Sequence, residues 1–348
     1  MSSNAPSTDA DVSTMDDRLA SLEVTEGQAN IRSTCTDTSV DGAARPSEDG
    51  ASRPSEDGEL VLDPKLWKPH PPTEECPVCF VPLPLAEVKS THWVCCGKLI
   101  CNGCEAETMR ARAVINAKRA KKKLLPLDNA CPFCRTVPNV SASEYEKRIR
   151  KGDAQATLNL AFCNRNGDTK KRIPKNEVKS LELFHHAADN LDYSVAMAEL
   201  GFIYSYGVDG APRDESKGRQ YLEDAVKMGN VTARNSLACV EAESGNIKLA
   251  IQHWKLAAGA GDSVAMKNLW ATFYGGMFGK DNLEETLRAH KEAYDVMNSE
   301  ERERHTMLEK AVADNNDALE KVLRSYYNGD IKAKELNLAL KALRKTDG

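Results

Sequence analysis

Aromatic residues are scarce in this sequence, at 6% of 348 positions, and no apolar run approaches the length of about 18 residues that a membrane-spanning helix needs. The chain therefore reads as soluble, with no membrane partner. A basic, apolar leader is also missing: MSSNAPSTDADVSTMDD has no basic residue before Arg18, so neither a secretory signal nor a transit peptide is expected. Localisation is read accordingly as cytoplasmic and/or nuclear. Neither sign of charge dominates, since 47 basic side chains face 52 acidic ones for a net charge of −5. That argues against coating nucleic acid through the overall field but leaves local patches open. Proline becomes scarce beyond residue 144, where only Pro174 and Pro212 remain and the apolar pattern turns helical. The length suggests two or three domains.

Cysteine carries the most information. Of eleven cysteines, eight (Cys76, Cys79, Cys95, Cys96, Cys101, Cys104, Cys131 and Cys134) fall within 59 residues, and six of those form three CxxC pairs. Without a secretory signal a reducing compartment is expected, where such spacing points to a metal rather than to disulfides. A knuckle turn at each CxxC aims two sulfurs at one ion, and eight thiolates suffice for two tetrahedral zinc sites. A hydrolytic zinc is disfavoured, because catalytic sites keep an open position whereas these cysteines can close both. Cys35, Cys163 and Cys239 stand apart and read as ordinary thiols.

The order Cys76-Pro77-Val78-Cys79, Cys96-Gly97-Lys98-Leu99-Ile100-Cys101-Asn102-Gly103-Cys104, Cys131-Pro132-Phe133-Cys134-Arg135 resembles a RING finger over residues 74–137. The resemblance implies a cross-brace, with Cys76, Cys79, Cys101 and Cys104 on one zinc and Cys95, Cys96, Cys131 and Cys134 on the other. The adjacent Cys95-Cys96 departs from the usual Cys-x-His or Cys-x-Cys. Lys98 stands at the usual histidine position, and an ammonium has no lone pair for a metal. Three readings stay open: Cys95 plus Cys96 complete the second site, His92 replaces one of them, or the second site is degenerate. The resemblance further implies docking of a ubiquitin-charged conjugating (E2) enzyme through Val78 and Pro132, with Arg135 as the linchpin bridging E2 and ubiquitin. The plainer roles are knuckle packing for Val78 and Pro132 and a solvated charge for Arg135. The central-helix position that is often Trp or Leu falls near Thr108, with Met109 beside it, so the E2 groove is expected to be weak or atypical.

Beyond the cysteines a repeat appears. Ala154-xxx-Leu158-xxx-Phe162, Ala196-xxx-Leu200-xxx-Tyr204, Ala233-xxx-Leu237 and Ala265-xxx-Leu269-xxx-Phe273 share an i, i+4, i+8 pattern, with anchoring alanines 42, 37 and 32 residues apart. Paired small residues (Ala187-Ala188, Ala225-Val226, Ala257-Ala258) mark a second helix in each unit. Gly229-Asn230 and Gly261-Asp262 read as junctions, with Gly capping the finished helix. Two helices per period of this size predict an α-solenoid, since one pair cannot bury its apolar stripe alone. Leu200-Gly201-Phe202-Ile203-Tyr204-Ser205-Tyr206-Gly207 with Asp214 and Lys217 resembles the core of a Sel1-like repeat, and the likeness covers roughly residues 152–302. It implies a protein–protein scaffold without chemistry of its own.

The expected architecture is thus mainly α. Residues 1–62 form an acidic disordered leader, because the first sixty residues hold four basic and thirteen acidic side chains and too little apolar surface to offset ordering. Residues 74–137 form the zinc finger and 144–302 the solenoid. Residues 303–348, patterned by Leu308, Leu319, Leu323, Leu336, Leu338 and Leu340, form capping helices. The leading functional expectation is a RING-type E3 ubiquitin ligase whose repeats select a protein partner. Two alternatives stand beside it: a non-catalytic scaffold with a structural zinc module, and a nucleic-acid-associated protein. The last would use the basic helix 110–123, which carries seven basic residues, no acid and no aromatic platform for stacking.

Overall fold

The computed structural model describes residues 74–85, 89–128, 130–137, 141–169, 171–313 and 317–346, so the acidic leader and Cys35 lie outside the described residues. Two short antiparallel strands come first: β1 (Ser90–Trp93) pairs with β2 (Lys98–Cys101), with Ser90 opposite Cys101 and Trp93 opposite Lys98. Helix α1 (Asn102–Lys121) continues directly from β2, and α2 (Ala142–Ile149) leads into the repeats.

The repeat helices are α3 (Ala154–Asn166), α4 (Glu177–His185, extended by a π-helical turn His186–Asn190), α5 (Ser194–Tyr206), α6 (Glu215–Lys227), α7 (Val231–Glu243), α8 (Ile247–Gly259), α9 (Ser263–Tyr274) and α10 (Lys280–Met297). Local chemistry fixes their starts. The side chains of Asp153, Asn176, Asp214, Asn230 and Asp262 each accept a hydrogen bond from a backbone N–H in the first turn they precede. Gly229 (φ 87°) and Gly261 (φ 99°) end the preceding helices in the left-handed region. Each Gly-Asn or Gly-Asp pair therefore closes one unit and opens the next, as the sequence suggested.

Packing follows the same period. Leu158, Ala196, Leu200, Ala233, Leu237, Ala265 and Leu269 are buried, as are the pairs Ala187-Ala188, Ala225-Val226 and Ala257-Ala258. The result is a stack of helix pairs whose apolar stripes seal one another. Close approach is enforced between α5 and α6: a Cβ on Gly218 would fall 2.7 Å from the Ser205 nitrogen, and one on Gly201 only 2.5 Å from Leu222 Cγ. Cys239 is buried in α7, with the Asn268 side-chain nitrogen 3.8 Å from its Sγ.

The last three helices are α11 (Glu300–Ala313), α12 (Asp317–Tyr327) and α13 (Ala333–Thr346). Their small core holds Ala311, Leu323, Tyr326 and Leu336, while Leu338 is exposed. α11 and α12 return to pack along α1. That contact was not contained in the reading of 303–348 as capping helices, whose boundary also falls inside α11. On another side, Leu83, Leu85 and Leu99 face Val195 and Val231 of the repeats across a cavity of about 190 Å³. No helix among the described residues is long and apolar enough to cross a membrane.

Candidate metal centre

The cysteine module is built from two copies of one turn. In Cys76–Phe80 the Cys76 carbonyl accepts from the Phe80 N–H (2.8 Å), and the Cys76 N–H donates to the Val81 carbonyl (2.9 Å). In Cys131–Arg135 the Cys131 carbonyl accepts from the Arg135 N–H (2.9 Å), and the Cys131 N–H donates to the Thr136 carbonyl (2.8 Å). Both turns place a non-glycine residue in the left-handed region, Phe80 at φ 58° and Arg135 at φ 60°. The strands supply the rest. The turn between β1 and β2 carries Cys95 and Cys96, Cys101 ends β2, and Cys104 sits in the first turn of α1.

These elements gather the eight sulfurs into two groups. The Sγ atoms of Cys76, Cys79, Cys101 and Cys104 lie within 4.8 Å of one another, and so do those of Cys95, Cys96, Cys131 and Cys134. The first and third pairs in the sequence thus meet, as do the second and fourth, which interleaves the two clusters along the chain. Individual separations are 4.0 Å for Cys79–Cys101, 3.7 Å for Cys96–Cys131 and 3.5 Å for Cys95–Cys134. A tetrahedral ion with bonds of about 2.3 Å sets its sulfurs about 3.8 Å apart, so both clusters have the size to hold a metal. All eight are free cysteines. The donor set, four thiols with no carboxylate, suits zinc.

The electrostatics agree. The Cys101 thiol is drawn down to about 4, first by a hydrogen bond from Cys104, against burial, and then by the Arg302 guanidinium. The exposed Cys134 thiol is drawn down to about 6, mainly by hydrogen bonds from the Thr136 hydroxyl and backbone. Burial pushes Cys79, Cys95 and Cys96 up. Each cluster thus favours one thiolate, and sulfurs this close cannot all ionise without a cation among them.

His92 goes elsewhere. It leaves the cluster for the solenoid side, with Nε2 3.4 Å from the Asp153 carboxylate, which also takes Arg148 at 2.6 Å. Burial raises the Asp153 pKa, but the adjacent His92 and hydrogen bonds from the Ala156 N–H and Arg148 outweigh it and hold the carboxyl down to about 2. Of the alternatives for the second cluster, the geometry therefore brings in Cys95 and Cys96.

Val78 is 43% exposed, Pro132 and Arg135 are exposed, and Met109 projects from α1. Thr108, half-buried, donates to the Cys104 carbonyl one turn back in the same helix at 2.8 Å. The basic stretch 110–123 is partly consumed by packing: Arg110 donates to the Tyr326 carbonyl (3.1 Å), Arg112 to Ala130 (2.6 Å) and Arg119 to Leu125 (2.7 Å). Lys118, Lys121, Lys122 and Lys123 remain exposed. Sequence reasoning missed Arg302, whose guanidinium lies 3.9 Å from Cys79 Sγ. No local pattern marks an arginine 223 residues from its partner.

A family model of the Sel1 repeat matches residues 154–190, 194–230 and 240–262, all within the helical stack and none in the cysteine block. Such repeats serve protein–protein interaction. Among solved structures, the chain is similar to a Sel1 repeat protein from Oxalobacter formigenes, with 21% identity and a TM-score of 0.37, over 43% of this chain and 63% of that one. It is also similar to c5321, a protective antigen present in uropathogenic Escherichia coli strains and displaying an SLR fold. That match has 20% identity and a TM-score of 0.38, over 44% of this chain and 33% of that one. The chain thus spans less than two thirds of either. No curated protein matches.

Proposed function

We propose that this chain binds two zinc ions in residues 74–137 and acts as a RING-type E3 ubiquitin ligase in the cytoplasm or nucleus, with the repeats of 144–302 holding a protein substrate or partner. The observation that carries this reading is the interleaving of the two four-cysteine clusters, with Val78, Pro132 and Arg135 left at the surface of the knuckles. Side chains that merely packed the knuckles would be covered.

The zinc ions would supply structure alone: four thiolates close each site and leave no position for a reacting water. Cys76, Cys79, Cys101 and Cys104 would hold the first, and Cys95, Cys96, Cys131 and Cys134 the second. Val78 and Pro132 would present apolar surface to the E2 enzyme. Arg135 would bridge E2 and ubiquitin, a task suited to a planar, always charged guanidinium with several donors. Arg135 stands in the left-handed region directly after the last ligand, and its side chain is exposed. Acceleration would come from holding the thioester in an attack-ready pose, a matter of positioning.

The scaffold reading is favoured by one observation: Thr108 is turned toward the Cys104 carbonyl where a bulky apolar residue would deepen an E2 groove. The nucleic-acid reading is weakened, since three of the seven basic side chains between 110 and 123 are engaged within the fold. Mixing the purified chain with ubiquitin-activating enzyme, a panel of E2 enzymes, ubiquitin and ATP separates these. Chain formation is expected, and Arg135→Ala should cut its rate at least ten-fold with two zincs still bound. Silence with every E2 would leave the scaffold.

A further inference from the structure

The chain returns to its own cysteine module some two hundred residues later, and the way it does so places a charge. Arg302, in the first turn of α11, is 7% exposed. Its Nη1 donates to the Pro82 carbonyl at 2.6 Å and to the Met297 carbonyl, while Nη2 donates to the Val81 carbonyl at 3.2 Å and faces Cys79 Sγ at 3.9 Å. The acids nearby are spoken for: Glu107, Glu300 and Glu301 all pair with Arg304. Among the described residues no carboxylate ion pair includes Arg302.

A guanidinium keeps its charge in any protein setting, and burying it beside neutral carbonyls alone is costly. Cys79 belongs to the first four-cysteine cluster. Four thiolates around a divalent ion carry a net charge of −2, and a buried cation at their edge is the complement such a site needs. We infer that Arg302 is an outer partner of the first metal site, and that the metal-charged cluster latches α11 and α12 onto the module. This rests on the metal reading above and goes beyond it, because it assigns a role in metal retention to a residue outside the zinc finger.

The backbone is shaped for the same contact. A Cβ on Gly103, between the ligands Cys101 and Cys104, would lie 2.6 Å from the Arg302 nitrogen and 2.9 Å from its Cα. Only glycine lets α11 settle there. Further along the same face of α1, Glu107 accepts from the Tyr326 hydroxyl at 2.8 Å, and Arg110 lies 4.1 Å over the Tyr326 ring. Gly103, Glu107 and Arg110 share one face, spaced by four and three residues. Met109 projects from another part of α1 and stays exposed, as does Val78. The latch therefore holds the module against the rest of the chain without covering the surface proposed to meet E2.

The test uses the full chain carrying its native metal. Chelator-driven zinc release is followed with a metallochromic dye, alongside amide exchange of residues 300–327. In Arg302→Met one of the two ions should leave about ten- to a hundred-fold faster, the range expected for loss of an outer-shell partner, while the other keeps its rate. Amides of α11 and α12 should exchange faster even with both ions bound. Arg302→Lys, which keeps the charge and serves should the Met variant fail to fold, should fall between Met and the native chain. Native release rates and native exchange in either variant would overturn the latch. A native chain with no metal would instead overturn the metal reading itself, so the two failures are distinct.

Discussion

In the cysteine module the buried set is Cys76, Leu83, Trp93, Ile100, Cys101, Cys104 and Cys131, four of the seven being cysteines that face a cluster. In the last repeats it is Trp254, Ala257, Ala258, Ala265, Met266, Leu269, Phe278 and Leu283 with their neighbours, an apolar core with no cluster to hold it. On the metal reading proposed above, the first region has too little apolar surface to order itself and would rely on ligand bonds. The second gains from burying every side chain of a seam, and from small residues that let helices touch. The two regions should therefore fail under different insults.

The largest effect expected follows from breaking one ligand set. Cys101→Ser should forfeit most of the roughly 10–16 kcal/mol that a structural zinc contributes to a small domain. Residues 74–137 should then lose their slow amide exchange while the α3–α9 amides keep theirs; uniform loss through both would erase the contrast drawn above. Trp254→Ala reverses the insult. Trp254 is fully buried, and truncation should cost about 3–5 kcal/mol in chemical denaturation while zinc content stays at the native level.

A smaller effect depends on pH and sharpens the contrast, because it belongs to the repeats. Burial first, and then the nearby Arg234 and Arg219, lower the His253 pKa to about 4. Its folded value lies below the unfolded one, so the unfolded chain takes up a proton first as pH falls. Stability from the neutral imidazole is complete above pH of about 6.5 and is lost progressively toward pH 4, by up to about 3 kcal/mol. His253→Gln should flatten that part of the stability profile relative to the native chain. Thiol protonation in the cysteine module is common to both proteins and cancels. An unchanged slope would remove His253 from this role.

What the sequence made legible was whatever repeats or acts locally. A CxxC knuckle is closed within six residues by its own backbone, so Cys76–Cys79 and Cys131–Cys134 could be read from spacing. The solenoid could be read because the units restate the same Ala-xxx-Leu seam, and two of their boundaries the same Gly-Asn or Gly-Asp junction. The contacts that tie the regions together were not legible. His92 meets Asp153 across the boundary between module and repeats, and Arg302 meets Cys79 after the chain has traversed the whole stack. Such pairings depend on where α11 lands, which no periodicity encodes.

Metal content is the most direct measure of the account. Native mass spectrometry of the full chain, paired with elemental analysis, should find two zinc ions per molecule. A chain that is fully folded across residues 74–137 and yet carries no metal would contradict it.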